Sequence, residues 1–319
     1  MQDVVNSIDV SLAGLEKPEW KTRLMALADE NGMSQDLGEK HFATFIDLKS
    51  TLLVTFETIQ GIQALSETEQ PLGFDLVKSQ GWSHLCLISD GDTWFRDQRI
   101  YGFFDQLIDD GFFEDFDQVI FYGAGPCGYA AAAFSVAAPG ATVIAVQPQA
   151  TLDPRMAEWD DRFIEMRRTS FTDRFGYAPD MIDAAQQAFV LYDPHQDLDA
   201  MHSALFERSN VERLRMRNMG SALQTQMINM GMLYRLLLLA GNGELNRTSF
   251  AQLYRARRKN SAYLRALMAV LDAEDRPYLT AVLCRNVVSR MKGPKFRRRL
   301  DALKKDAEQG LFTFPPSSA

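Results

Sequence analysis

Residues Gln118 to Gln149 read QVIFYGAGPCGYAAAAFSVAAPGATVIAVQPQ: an apolar run, a glycine turn, an alanine-rich run and a second apolar run. Val119 to Tyr122 carries the β-branched and aromatic residues of a buried strand. The turn Gly123-Ala124-Gly125-Pro126-Cys127-Gly128 follows at once. Tyr129 to Ala138 predicts a tightly packed helix, stopped by Pro139-Gly140. Thr142 to Val146 predicts a second buried strand. A strand–turn–helix–strand unit implies a parallel pair joined by a right-handed crossover. Ligands in such sheets bind beyond the C-terminal ends of the strands, which directs attention to the turn at Gly123.

Two families share features with this turn. Gly123-x-Gly125-x-x-Gly128 matches the dinucleotide-binding fingerprint, and GAGPCGYAAA resembles the FAD-binding turn of flavoprotein reductases. That resemblance implies a nucleotide- or flavin-binding oxidoreductase. However, Gln147 and Gln149 stand where an acidic residue would meet the ribose, and the turn lies more than a hundred residues into the chain. The second resemblance is to α/β-hydrolases, among which some bacterial members carry a G-S-S-M-G-G-Y-A-A elbow. Gly123 falls on its first glycine and Gly128-Tyr129-Ala130-Ala131 on G-Y-A-A. Gly125 then falls on the nucleophilic serine, and Cys127 falls on a glycine. A third reading is a glycine turn that serves only close helix–strand packing.

The hydrolase resemblance assigns further positions. Asp193, after the run AFVLY, falls where the triad acid stands. Ser221, in Asn218-Met219-Gly220-Ser221, falls where the catalytic histidine stands. The triad positions are therefore Gly125, Asp193 and Ser221, with only the acid retained. Glu57, after TLLVTF, occupies the oxyanion-loop position, where a carboxylate is unfavourable because hydrogen-bond donors are needed. Cys127 is an alternative nucleophile at a helix N-terminus, with His195 as its base. The expected ligand-binding set is Gly123, Ala124, Gly125, Pro126, Cys127, Gly128, Glu57 and Gln147. No cofactor and no metal site is expected, because Cys86, Cys127 and Cys284 are far apart in sequence. The Glu-Cys-Gly-Leu-His motif and Ser-Gly-Gly loop of sulfonucleotide reductases are missing.

The 319 residues suffice for one large α/β domain with an appendage. With 46% hydrophobic and 24% charged residues, the composition is that of a globular protein. The start Met1-Gln2-Asp3-Val4 lacks the basic residues of a signal peptide, and no apolar run spans a membrane, so a cytoplasmic location is expected. The net charge of −8 conceals two poles. Residues 245–319 hold 16 basic and 6 acidic residues (+10), and residues 1–244 hold 18 basic and 36 acidic (−18). An acidic protein surface is thus an expected partner, besides a small molecule. A homo-oligomer is left open and nucleic acid is disfavoured.

Along the chain, residues 1–40 predict a helical leader. HFATFI (41–46) and TLLVTF (51–56) predict an antiparallel hairpin across Asp47-Leu48-Lys49-Ser50. HLCLI (84–88) predicts a strand and residues 98–108 a helix. Residues 150–185 lack a strand pattern and have the position of a cap. AFVLY (188–192) and VERLRM (211–216) predict the last strands, with Asp197 capping a helix between them. The expected domains are 1–40, 41–244 and a basic helical region, 245–319. The expected fold is an α/β-hydrolase-like, mostly parallel sheet with an N-terminal hairpin and a C-terminal helical extension. The resulting functional expectation is a hydrolase-like protein without a working triad, which binds a small molecule or a protein.

Overall fold

The computed structural model describes residues 7–48 and 50–316. The first six residues of the leader, including the start read for a signal peptide, and Lys49 of the turn lie outside the described residues. The chain forms two compact units, one up to Ala251 and one from Gln252 on.

The first unit begins with helix α1 (Lys17–Asn31), then strands β1 (Gly32–Asp36), β2 (His41–Ile46) and β3 (Thr51–Thr58). Helices α2 (Ile59–Leu65) and α3 (Phe74–Gln80) lead into β4 (Ser83–Ser89) and α4 (Gln98–Asp109). The central unit follows as β5 (Gln118–Ala124), α5 (Pro126–Phe134) and β6 (Thr142–Val146). Then come β7 (Gln187–Tyr192), α6 (Asp197–Leu205), β8 (Val211–Arg215), α7 (Leu223–Asn229) and α8 (Leu233–Gly241).

These strands form one eight-stranded sheet in the order β1-β2-β4-β3-β5-β6-β7-β8. The β1–β2 and β2–β4 pairs are antiparallel, and every later pair is parallel. This is a sheet of α/β-hydrolase type, mostly parallel with an antiparallel N-terminal edge. Every position of β2 and β4 is buried. Such strands read as continuous apolar runs, because both faces are covered by other elements.

Three local expectations are corrected. The hairpin joins β1 to β2, since β4 lies between β2 and β3 and pairs with both. The short turn at 47–50 suggests local pairing. Yet both strands are almost wholly buried, and β4, returned by the α2–α3 crossover, satisfies the backbone of each. The helical leader also ends earlier than expected, because residues 32–36 are β1. Lastly, Gln196 is the N-cap of α6 and makes no side-chain cap bond; Asp197 is already inside the first turn.

One core lies between the sheet and α4 and α5, and holds Phe56, Phe104, Phe121 and Phe134. Phe104 and Phe134 stack at 4.6 Å. The opposite face packs Trp20, Leu24, Ile59, Ile62 and Phe74 against Phe42, Cys86 and Ile88. Residues 150–185 form only short helical turns, and place Phe171, Phe175, Ala178 and Ile182 in the first core. Arg96 ties this segment down: it pairs with Asp173, donates to the Ser170 and Arg174 carbonyls, and donates to the Tyr129 hydroxyl.

The second unit consists of α10 (Ser261–Ala273), α11 (Pro277–Arg290) and α12 (Pro294–Glu308), reached through α9 (Arg247–Leu253). Its own core contains Leu264, Cys284, Val287, Phe296, Leu300 and Leu303. Among the described residues no helix is long and apolar enough to cross a membrane.

Candidate functional site: the turn after strand β5 and its cleft

Gly125 is the residue between β5 and α5, with φ 58° and ψ −125°. L-residues adopt that conformation only under strain, and the hydrolase elbow is likewise a sharp, strained strand-to-helix turn. A Cβ built at Gly125 would meet no atom within 4 Å, so a side chain there would project into open space. The flanking glycines have a different cause. A Cβ at Gly123 would collide with the Cys127 carbonyl, and one at Gly128 would lie 2.9 Å from the Val146 carbonyl oxygen. They are small because α5 lies directly on the sheet, with Ala130 to Ala133 wholly buried.

The backbone of this turn is already engaged. Gly125 N–H donates to the Val146 carbonyl at 2.8 Å, and its own carbonyl accepts from Tyr129 N–H at 3.0 Å. Pro126 follows at the first helical position and has no N–H to donate. In the hydrolase elbow, the residue after the nucleophile supplies an oxyanion N–H. Pro126, the residue after Gly125, offers no such N–H, a feature that comparison of the glycines alone does not reveal.

The C-terminal ends of β6, β7 and β8 are laced together. The buried Asp193 carboxylate accepts from the backbone N–H groups of His195 (3.0 Å), Asn218 (3.2 Å) and Gly220 (2.8 Å). The loop after β8 therefore folds back onto Asp193 through its backbone, and Ser221 follows as an exposed residue. Gln147 has φ 49°, donates to Asp199 at 2.6 Å and accepts from Leu223 N–H at 2.9 Å. Its side chain is thus committed to joining α6 and α7 to the sheet.

His195 is exposed, and no hydrogen bond or ion pair joins it to Cys127 among the described residues. The Cys127 thiol is buried, which pushes its pKa up, and the carboxylates of Glu57 and Asp92 push it further. A thiol so placed stays protonated, and the thiolate is the nucleophile. The structure shows no hydrogen bond between Cys127 and His195 among the described residues, and no activated sulfur at Cys127.

A cleft of about 130 Å³ opens beside the turn. Ala124, Pro126, Cys127 and Glu57 of the expected ligand set line it, while Gly123, Gly125, Gly128 and Gln147 are not among its lining residues. The sequence did not single out the rest of the wall: Asp92 after β4, Ile62 and Leu65 of α2, Leu72, and Gln224 and Ile228 of α7. They come from distant segments and share no motif, so only the fold gathers them. At roughly 30 Å³ per water, the cleft has room for a small molecule or one group of a larger one.

Glu57 sits where cleft and core meet. It accepts from Thr55 Oγ1 at 2.8 Å, from Leu72 N–H at 3.2 Å and from Cys86 Sγ at 3.4 Å. Burial pushes its pKa up, against the lowering effect of these donors. Thr55 Oγ1 also lies 2.9 Å from His84 Nε2. Burial drives the His84 pKa down to about 3, so the ring is neutral at pH 7.

A second polar cluster borders residues 150–185. His202 Nδ1 accepts from Ala150 N–H at 3.1 Å, and Nε2 faces Asp160 at 2.9 Å. This pairing requires the Nε2–H tautomer, a neutral ring donating to Asp160. Burial lowers the His202 pKa, outweighing the raising effect of Asp160. Asp160 is held well below the carboxylate range: burial opposes this, but the bonds from His202 and Arg162 prevail.

No family model matches this chain, and the search of curated proteins found no match. Solved structures with a similar fold include the Glycosylation Associate Protein (Gap123) complex from Streptococcus agalactiae. That match has 13% identity and a TM-score of 0.44, covers 66% of this chain, and spans about half, 47%, of the other. EstE1, a thermophilic carboxylesterase from a metagenomic library, has 12% identity and a TM-score of 0.41, covering 76% of this chain and 98% of its own. A hyperthermophilic esterase from Pyrobaculum calidifontis has 12% identity and a TM-score of 0.41, covering 78% and 96%.

Proposed function

We propose that this protein is a hydrolase-like binding protein that performs no acyl transfer and holds a small molecule in the cleft beside Gly125. The observation that carries this reading is the elbow itself. Gly125 keeps the elbow's backbone conformation but has no side chain, and Pro126 after it has no N–H. A nucleophile and an oxyanion donor are both missing from the positions where acyl transfer requires them. Glu57, among the residues lining the cleft, brings a carboxyl where donors are needed. At the acid position, Asp193 accepts from backbone N–H groups of the 218–220 loop, and among the described residues no histidine ring bonds to it.

The cleft favours a small neutral or cationic molecule with hydroxyl or amine groups. Its apolar wall of Phe56, Leu65, Leu72 and Ile228 is interrupted by Glu57, Asp92 and Gln70, and among the described residues no Lys or Arg lines it. The dinucleotide reading receives less support, since the Gly125 N–H and the Gln147 side chain are both engaged within the protein.

A thermal-shift screen of small polyols, amines and esters against the purified protein tests the reading. The expected result is stabilisation by at least one hydroxyl- or amine-bearing compound, lost on Ile228→Trp, which fills the cleft. Stabilisation by NAD or FAD, and by none of these compounds, would favour the dinucleotide reading instead.

A further inference from the structure

We propose that Glu57, His84 and Cys86 form a buried site for a divalent transition metal, Zn²⁺ by the chemistry of the donors. One ligand atom from each lies within 4.8 Å of the others, and all three residues are buried. The sheet makes this cluster. His84 and Cys86 are two apart on β4 and so share a face, while Thr55 of β3 pairs with Cys86. That register brings Glu57, two residues after Thr55, onto the same face. The cysteines are far apart in sequence, so linear spacing gives no sign of the site; the partners come from across the strand pair.

The donor set is one thiolate, one imidazole and one carboxylate. Sulfur and nitrogen ligands select zinc over magnesium or calcium, and three protein ligands with an open fourth position is a common zinc arrangement. Thr55 Oγ1 lies at hydrogen-bond distance from both Glu57 and His84, which places a hydroxyl inside the cluster. A divalent ion with one thiolate and one carboxylate carries no net charge, so the complex adds no unpaired charge to the core. Binding releases the Cys86 thiol proton and any proton on Glu57 to solvent.

Two further observations point to the same place. His84 Nδ1 is wholly buried with no hydrogen-bond partner among the described residues. The imidazole faces the cluster through Nε2, which meets Thr55 Oγ1 at 2.9 Å, and its second nitrogen is tied to no other group among the described residues. Glu57 is also one of the residues lining the cleft, so the cluster adjoins that opening. The inference does not rest on the elbow reading, since a metal could bind whether or not the protein transfers acyl groups.

The test is a Co²⁺ titration of the full chain, stripped with chelator and kept reduced. The expected result is an equimolar endpoint with a near-ultraviolet thiolate-to-cobalt band, displaced by Zn²⁺. Cys86→Ser should abolish the band and Cys284→Ser should leave it. Glu57→Gln should weaken Co²⁺ binding on the order of tenfold or more. Circular dichroism establishes that each variant is folded. If Cys86→Ser does not fold, the wild type and Glu57→Gln decide. The site is wrong if folded wild type gives no band at saturating Co²⁺. It is equally wrong if the band survives Cys86→Ser, depends on Cys284, or is unchanged in Glu57→Gln.

Discussion

The proposed lack of acyl transfer turns first on Gly125. A serine there has space for its side chain, but must take φ 58° and ψ −125°, at a cost on the order of 1–3 kcal/mol. Gly125→Ser should therefore fold, melt at a lower temperature, and gain no measurable ester hydrolysis, because Pro126 still withholds the oxyanion N–H. Turnover of p-nitrophenyl acetate by that variant would show that the serine was the only missing part. His202 carries a pH prediction. Its folded pKa is lowered, so the neutral ring stabilises the fold at pH above the ordinary histidine value, about 6.5. That contribution is lost as pH falls below 6.5, because the unfolded chain then takes up the proton first. Asp160 and Arg162 beside it keep their charges over this range. The urea midpoint should fall from pH 7.5 to 5.5, and the fall should be shallower in His202→Gln. An equal slope in both proteins would remove His202 from the explanation.

At the scale of elements, the central unit was the most legible part. β5, α5 and β6 follow from an apolar run, a glycine turn and an alanine run, because burial and close approach dictate those residue types locally. The strands β4, β7 and β8 were legible for the same reason. The order of β2, β4 and β3 was not, because pairing depends on a crossover of about twenty residues and not on the turn at 47–50. The cleft wall from α2 and α7 was likewise hidden, and so was the Glu57–His84–Cys86 grouping, since strand register alone creates it. Residues 150–185 show the limit of local pattern. They have no strand or long helix, yet Arg96 fastens them to Tyr129 of α5, with its side chain 1% exposed. Arg96→Ala removes the partner of Asp173 and leaves the Ser170 and Arg174 carbonyls without this donor. A loss of about 3 kcal/mol is expected, with faster hydrogen exchange confined to the 169–176 region. Uniform loss of protection across the sheet would mean that Arg96 supports the whole core instead.

At the scale of the whole molecule, the two compact units differ in charge. Residues 252–319 hold 15 basic and 6 acidic residues, +9, against −17 for residues 1–251 with 19 basic and 36 acidic. The second unit has its own core of Leu264, Cys284, Val287, Phe296, Leu300 and Leu303. Expressed alone, residues 252–319 should therefore be helical by circular dichroism and melt cooperatively. We propose an acidic protein surface as their partner, so polyglutamate should bind the fragment. Raising salt from about 0.05 to 0.3 M should release it, as screening shortens the range of the attraction. Binding that survives high salt, or a fragment without helical signal, would contradict this reading.

The central claim is that the elbow has kept its backbone and lost its chemistry. Incubation of the wild-type protein with an excess of a fluorophosphonate, followed by intact-mass measurement, tests this most directly. A hydrolase with a working serine forms a stoichiometric covalent adduct, because the reagent needs both a nucleophile and the base that activates it. With Gly125, Pro126 and Ser221 at the positions described, the mass should remain that of the unmodified chain. A stoichiometric adduct mapped by peptide sequencing to any residue lining the Gly125 cleft would contradict the account.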